Sequence, residues 1–209
     1  MIRVILIVLS AIVFSAFAEV ISKKHHLKPE LSRKIIHITG GTAAAFTPWF
    51  LSWNQIEILA VIMFAVLLIF RYLGLFKSSR SVKRVSLGEL MFAACIGIVA
   101  VITHDRLIFV AAVLQMGIAD GMAAVFGTAY GKNNGYKVLG RQKSLVGSGV
   151  FFVCSFLILD WYLLAAHMSN HWSVIIWLPL VATGLEAIGL DGTDNLIVPA
   201  VVAFILNRL

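Results

Sequence analysis

Long apolar runs recur along the chain and are separated by short polar connections. Seven of them approach or reach membrane-spanning length, at residues 3–21, 35–51, 55–73, 88–103, 107–128, 146–166 and 172–190. A helix needs about 17–25 apolar residues to cross the hydrocarbon core, so the run at 88–103 is marginal unless its flanks contribute. A last run, Leu196 to Leu206, is short and contains Pro199. It fits a half-span or an interfacial segment at least as well as an eighth crossing.

This pattern predicts an all-α protein, a polytopic membrane helix bundle of about seven transmembrane helices with a short C-terminal hydrophobic segment. No internal repeat or long linker divides residues 1–209, so we expect a single integral-membrane domain. Composition agrees, because 60% of the residues are hydrophobic and 13% are charged, against about 25% charged in soluble domains. The net charge of +7 does not indicate a nucleic-acid partner, since in a membrane protein the position of the charges matters more than their sum.

Positive charges lie in alternate connections. Most of the 17 Lys and Arg residues fall within 23–34, 71–84 and 132–143. The intervening connections, at 52–55, 103–106 and 166–171, contain a single cation, Arg106. Cytoplasmic connections of membrane proteins are enriched in Lys and Arg. The pattern therefore predicts a protein of the cell (inner) membrane with its N-terminus outside and its basic connections in the cytoplasm.

The first apolar run has an alternative interpretation. Residues 1–20 combine Arg3, an apolar stretch and a small-x-small ending at 16–18, which is typical of a cleaved signal peptide. The run is also long enough to span and leads directly into a basic connection, so we expect a retained helix.

Acidic residues gather at the predicted cytoplasmic helix ends, namely Glu89, Asp120, Glu186, Asp191 and Asp194. In "SRKIIHI", Arg33 and His37 are four residues apart and share one helix face at the start of the second run. An ionisable group in or near a span costs a few kcal/mol unless it is paired or hydrated. These residues therefore predict a functional site at the cytoplasmic surface.

Two motifs indicate phosphate chemistry. In "GRQKSLVGS" (140–148), Lys143 offers a charge and Ser144 and Ser148 offer donors that suit phosphate oxygens, with glycines that allow close backbone approach. The spacing is not that of a Walker A loop, and a basic loop touching lipid headgroups is the alternative. In "EAIGLDGTDNLIVP" (186–199), the carboxylates are hard oxygen ligands of the kind that Mg²⁺ prefers. Asp194 has the alternative role of a helix N-cap.

The segment "IADGMAAVFGTAYGK" (118–132) places small residues beside a carboxylate. Asp120, Ala124, Gly127 and Gly131 follow helical spacing. Close helix packing explains the small residues but not Asp120, for which a metal or substrate role stands beside a structural ion pair.

The chain resembles a family in which these motifs occur in the same order, the CTP-dependent lipid kinases. The family comprises dolichol/polyprenol, phytol and diacylglycerol kinases and is related to the CDP-diacylglycerol synthases. The motifs are "SRKIIHI", "GEL" (88–90), "ADGMAAVFGTAYGK", "QKSLVGS" and "EAIGLDGTDNLIVP". The family typically has two adjacent aspartates before an asparagine. Here Thr193 takes the first position, which leaves Asp194 and Asn195 as the matched pair.

The resemblance implies a catalytic domain that transfers the γ-phosphate of CTP to the hydroxyl of a lipid alcohol at the cytoplasmic face. The acceptor would be a long-chain isoprenoid alcohol (polyprenol, dolichol or phytol) or diacylglycerol. The expected partners are this alcohol, the nucleotide and membrane lipids, with no nucleic acid. Mg²⁺ would be held by Asp120 and Asp194. The implied catalytic residues are Asp120, Lys143, Glu89, Glu186 and His37. Of these, His37, Glu89 and Glu186 would be orienting groups or a base for the lipid hydroxyl, and the sequence does not choose among them. The implied nucleotide-binding residues are Arg33, Lys132, Lys143, Ser144, Gly147 and Asn195.

Two other functions are compatible with parts of the sequence. A cytidylyltransferase would attack the α-phosphate and release pyrophosphate, but its long carboxylate-rich C-terminal signature is missing. A small transporter would use Glu89, Asp120 and Glu186 as an ion path, but these carboxylates gather at one face and no charged ladder crosses the membrane.

We predict that residues 23–34, 77–87 and 129–145 face the cytoplasm and that 52–55 and 166–171 face outward. With the two native cysteines replaced, Lys137→Cys should stay unlabelled when intact cells meet an impermeant thiol reagent. A cysteine within 52–55 is the matched control and should be labelled. Labelling of Lys137→Cys from outside would contradict the orientation.

Overall fold

The structure, a computed structural model, describes residues 2–24, 29–73, 87–168 and 172–209. Nine α-helices occupy most of these residues, together with a short 3₁₀ turn at Thr47–Trp49 and a π-helical segment at Gln115–Asp120. The helices are α1 (Ile2–Lys24), α2 (Pro29–Ala45), α3 (Trp53–Leu73), α4 (Gly88–Ile102), α5 (Arg106–Leu114), α6 (Gly121–Tyr130), α7 (Leu145–Ala165), α8 (Val174–Ile188) and α9 (Asp194–Leu206). Two strands, β1 (Gly135–Val138) and β2 (Arg141–Ser144), separate α6 from α7.

The prediction of an all-α helix bundle compatible with a membrane is confirmed. Within the described ranges, three helical stretches are long and apolar enough to cross a membrane: Trp53–Leu73, Arg106–Tyr130 and Leu145–Ala165. α4, α8 and α9 are apolar but shorter. The C-terminal run is therefore a helix only slightly shorter than α4 and α8. The parts of the predicted connections at 25–28, 74–86 and 169–171 lie outside the described residues.

The basic connection before α7 contains a β-hairpin that the apolar pattern did not predict. β1 and β2 pair antiparallel, with Gly135 opposite Ser144 and Val138 opposite Arg141. The two-residue turn between them has positive φ at Leu139 (46°) and Gly140 (77°), as a type I′ turn requires. Gly140 is thus explained by the turn, and the hairpin gives Lys143 a fixed strand position.

The predicted span at 107–128 is interrupted by the π-helical segment. A π-turn inserts an extra residue into the α-helical ladder, and one residue of an α-helix corresponds to a rotation of about 100°. The side chains after the inserted residue therefore project in a different direction from the one that an uninterrupted α-helix would give them. Asp120 is the last residue of this segment, so its orientation depends on the interruption.

Glycines allow the helices that carry the polar residues to approach closely. A Cβ added at Gly127 on α6 would lie 3.0 Å from the Ser144 Oγ, and one added at Gly147 on α7 would lie 3.1 Å from the Ala123 carbonyl oxygen. The prediction that the glycines in 118–132 allow close helix packing is therefore confirmed where α6 contacts α7. On the other side, a Cβ at Gly41 on α2 would lie 2.5 Å from the Cα of Gly117 in the π-helical segment.

The two ends of the bundle are fixed by polar contacts between distant parts of the chain. At one end the Asn195 side-chain amide donates to the Gly88 carbonyl (3.1 Å), so α9 and α4 begin side by side. At the other end the Thr103 hydroxyl donates to the Asn207 side-chain carbonyl (3.2 Å), where the same two helices end. Tight backbone contact between Gly192 and Gly88 also joins the α8–α9 turn to the start of α4.

We predict that Gly41→Ala destabilises the fold by about 1–3 kcal/mol, because the new methyl group meets backbone and forces the helices apart. Gly184→Ala is the matched control, since a Cβ there meets no described atom within 4 Å and alanine favours a helix interior. Thermal unfolding in detergent measures both changes. Equal unfolding temperatures for the two variants would contradict the proposed contact between α2 and the π-helical segment.

Candidate active site

Three carboxylates from distant parts of the chain converge at one end of the bundle. Asp120 ends the π-helical segment, Glu186 lies in the last turn of α8 and Asp194 is the first residue of α9. One carboxylate oxygen from each lies within 4.8 Å of the other two. We call these three residues the carboxylate cluster. The glycine at 189 makes the convergence possible, because a Cβ there would lie 2.5 Å from the Asp194 Cβ.

Two lysines neutralise part of this negative charge. The Lys34 ammonium, from α2, donates to the Asp120 Oδ2 at 3.0 Å. The Lys143 ammonium, from β2, contacts the Glu186 carboxylate, donates to the Glu186 carbonyl at 2.9 Å and lies 3.8 Å from the Asp194 Oδ2. Both lysine side chains are largely buried, with 12% and 20% of their surface exposed.

The charge of Lys143 is stabilised by its neighbours. Burial acts to lower the pKa of its ammonium, but the carboxylates of Glu186, Asp194 and Asp120 outweigh that effect and raise the pKa above its ordinary value. Lys143 is therefore a permanent cation at neutral pH and suits a binding role better than that of a proton acceptor.

His37 orients Asp120 from the α2 side. Its Nε2 lies 3.0 Å from the Met116 carbonyl oxygen and 3.5 Å from the Asp120 Oδ2. Since a carbonyl oxygen can only accept, Nε2 carries the proton, and it faces both oxygens. The His37 ring also meets Phe92 edge to face, with 5.2 Å between centroids. This geometry favours a positioning role over proton abstraction by Nε2.

Glu89 and Arg33 lie at the same end of the bundle but outside the carboxylate cluster. The carboxylate of Glu89 faces the positive charges of Arg33 and Arg71. Arg33 is also within electrostatic range of His37. These two predicted residues therefore form a neighbouring charged group beside the cluster.

The remaining residues of the basic loop have structural partners of their own. Ser144 caps α7 by accepting the Gly147 backbone N–H at 3.0 Å, and the Ser148 hydroxyl lies 2.6 Å from the Tyr136 hydroxyl. Lys143 is thus the side chain of this loop that reaches the cluster. Lys132 is exposed and forms no ion pair with a described residue.

The C-terminal motif divides its acidic residues between two roles. Asp191, considered as a metal ligand from its sequence position, instead pairs with Arg141 on β2 and is half exposed. Thr193 holds the N-cap position of α9, so Asp194 is the first helical residue and not the cap. The side-chain amide nitrogen of Asn195 donates a hydrogen bond to the Gly88 carbonyl oxygen. The side-chain oxygen of Asn195 is buried without a hydrogen-bond partner in the described structure.

Two polar residues of this region were not predicted as site residues. In the sequence Lys34 is one cation of a basic connection, but its i, i+3 spacing from His37 places both on one face of α2. Gln115 begins the π-helical segment with a fully buried side chain, and neither amide atom has a hydrogen-bond partner in the described structure. The signal for Gln115 was an amide inside an otherwise apolar run.

The donor set of the cluster fits a divalent cation. Carboxylate oxygens are hard ligands that suit Mg²⁺. Glu186 is 6% exposed, and its Oε2 is buried with no hydrogen-bond partner in the described structure. A buried carboxylate oxygen without a donor is costly unless something binds it, so the residues present are suited to hold such an ion.

Comparison with known proteins bears on this arrangement. No family model and no solved structure matches the chain. A similar curated protein is the phytol kinase of a Synechocystis species, which is 30% identical over 200 residues covering 91% of this chain and 83% of the relative. The chain belongs to the phytol kinase family. The sequence resemblance to lipid kinases is thereby confirmed at the level of this family. The carboxylates and ammonium groups at this end of the bundle have the chemistry to bind a divalent cation and phosphate oxygens.

We predict that Lys143 reacts more slowly than Lys137 with an acylating reagent at pH 9. A raised pKa leaves less free amine at a given pH, about tenfold less for each unit, and partial burial adds to the difference. Glu186→Gln removes the carboxylate that raises the pKa of Lys143 most, so Lys143 should then react faster. The reaction rate of the exposed Lys137 in the same hairpin should not change. Mass spectrometry of the two peptides measures this. Equal rates for both lysines in the unmodified protein would contradict the ion pair.

Proposed function

We propose that this protein is a kinase that transfers the γ-phosphate of CTP to the hydroxyl of a long-chain isoprenoid alcohol, of the phytol or polyprenol type, at the cytoplasmic membrane face. The observation that carries the proposal is the carboxylate cluster with its two lysines, in a chain 30% identical to a phytol kinase. The preference for CTP rests on the ordered sequence motifs.

The carboxylate cluster is the proposed metal-binding part of the site. Asp120, Glu186 and Asp194 would hold Mg²⁺, which when bound neutralises the charge on the nucleotide phosphates. His37 contacts Asp120 from the α2 side and keeps its carboxylate directed into the cluster. Phosphoryl transfer through a loose transition state demands mainly positioning and charge stabilisation from the protein, and this set of residues offers both.

The two lysines are the proposed phosphate-binding groups. A lysine ammonium has three donors on a flexible stem and binds phosphate as a point charge. Lys143 projects from the hairpin and Lys34 from α2, so they approach the cluster from different elements. Arg33, beside Glu89 at the same end, adds positive charge for the triphosphate.

The acceptor alcohol is assigned to the lipid side of the same end of the bundle. Its hydrocarbon tail partitions into the bilayer, and many outward-facing side chains of α3, α7 and α8 are large and apolar. The hydroxyl has to reach only the cluster at the helix ends. This division, with polar groups at one end and apolar faces along the helices, fits an enzyme that joins a soluble nucleotide to a lipid.

The decisive assay uses purified protein, CTP labelled on the γ-phosphate, and a panel of phytol, a polyprenol and diacylglycerol. A kinase moves the label into the lipid, whereas a cytidylyltransferase releases it in pyrophosphate. We expect labelled phytyl or polyprenyl phosphate that depends on Mg²⁺. Label recovered only in pyrophosphate would reject the kinase.

Variants in the same assay test the assigned residues. Lys143→Ala should lower turnover by about 10²–10³, since loss of a preorganised charge donor typically costs this much. Asp120→Asn and Asp194→Asn should abolish it while the protein still elutes as a folded species in size-exclusion chromatography. Lys137→Ala, on the paired strand, is the matched control. If the loop only touches lipid headgroups, Lys143→Ala and Lys137→Ala will instead show equal, mild losses that shrink as salt is raised.

A further inference from the structure

The carboxylate cluster is already occupied by cations of the chain itself. Lys34 binds the Asp120 Oδ2 at 3.0 Å. Lys143 contacts the Glu186 Oε1 and lies 3.8 Å from the Asp194 Oδ2. Each of the three carboxylates therefore has an ammonium group within ion-pair distance. The Glu186 Oε2, on a side chain more than nine-tenths buried, has no hydrogen-bond partner in the described structure.

Lysine and metal compete for this position. Mg²⁺ binds carboxylate oxygens at about 2.0–2.1 Å. Because the cluster's ligand atoms lie within 4.8 Å of one another, an ion between them would lie only a few ångströms from both ammonium groups. Repulsion between a divalent and a monovalent cation at such a distance is substantial even at the effective dielectric of a protein surface. The bound metal and the present lysine positions are therefore poorly compatible.

We propose that Lys34 and Lys143 are internal counter-ions that occupy the metal site of the free enzyme and yield it only when phosphate arrives. On binding of a metal–nucleoside triphosphate complex, the two ammonium groups turn from the carboxylates to the phosphate oxygens, and the metal takes their place. Free divalent cation then binds weakly, and metal and nucleotide bind together. The identity of the phosphate ligand rests on the proposed function, but the competition between lysine and metal does not.

The side chains are suited to such an exchange. Three carboxylates left bare at this largely buried position would be costly in the absence of metal, so the lysines stabilise the free enzyme. Each ammonium is carried on a flexible four-carbon stem with rotatable donors and can change partner without movement of its helix or strand. The Lys143 ammonium group donates a hydrogen bond to the Glu186 carbonyl oxygen at 2.9 Å. This hydrogen bond does not prevent a small rotation of the ammonium group.

The test measures Mn²⁺ binding to the full-length protein in detergent by electron paramagnetic resonance, without nucleotide or lipid. The unmodified protein should bind Mn²⁺ weakly. Lys34→Met and Lys143→Met should each tighten binding by about tenfold or more, because one repelling charge is removed while the stem is kept. Lys137→Met is the matched control and should leave the affinity unchanged. Adding Asp194→Asn to Lys143→Met should cancel the gain, which assigns the bound ion to the cluster.

Unchanged or weaker Mn²⁺ binding in folded Lys34→Met and Lys143→Met would overturn the proposal. The two single variants act on different carboxylates, so either one decides the matter if the other fails to fold. The measurement is also separate from the kinase assay. Tighter Mn²⁺ binding in the variants supports the counter-ion role even if no lipid is phosphorylated. Phosphorylation of lipid with equal Mn²⁺ affinities rejects the counter-ion role and leaves the kinase intact.

Discussion

The positions of the charged side chains around the carboxylate cluster depend on the free-energy cost of burying negative charge. Three carboxylates lie close together where apolar helices end, and each loses much of its hydration there. Such a group is stable only with a counter-ion and hydrogen bonds in good geometry. Lys34 and Lys143 meet that need, and because they come from α2 and β2, their ion pairs hold together elements far apart in the chain.

Close backbone contact makes these ion pairs possible. Gly41 against Gly117 brings α2 to the π-helical segment, within reach of a lysine and a histidine from α2. Gly127 and Gly147 do the same for α6 and α7, so that the hairpin directs Lys143 toward α8 and α9. In a bilayer, where apolar helix surfaces gain little from leaving lipid, close packing through small residues is a main source of helix association. The glycines therefore contribute to the site through geometry and not through contact with a ligand.

The π-helical segment and the α8–α9 turn have a related role. The first sets the direction of Asp120, and the second places Glu186 and Asp194 next to each other by reversing the chain through Asp191 and Gly192, both at positive φ. The ion pair between Asp191 and Arg141 joins this turn to the hairpin. Asp120 is thus carried on an irregular segment, and the turn between α8 and α9 brings the helix-borne Glu186 and Asp194 together.

The sequence by itself determined the helices, the all-α bundle and the gathering of polar residues at one end. Spanning helices must satisfy their backbone hydrogen bonds internally, so apolar run length and the position of charges are strong signals. It also predicted that Asp120, Glu186, Asp194 and Lys143 belong to one site, and the structure brings these four residues together. Only the tertiary structure decided which partners they have. The pairing of Lys34 with Asp120, the pairing of Asp191 with Arg141 and the burial of Gln115 depend on contacts between residues distant along the chain. Run lengths and local spacing carry no information about the rotation of one helix against another, and that rotation determines which charged groups meet.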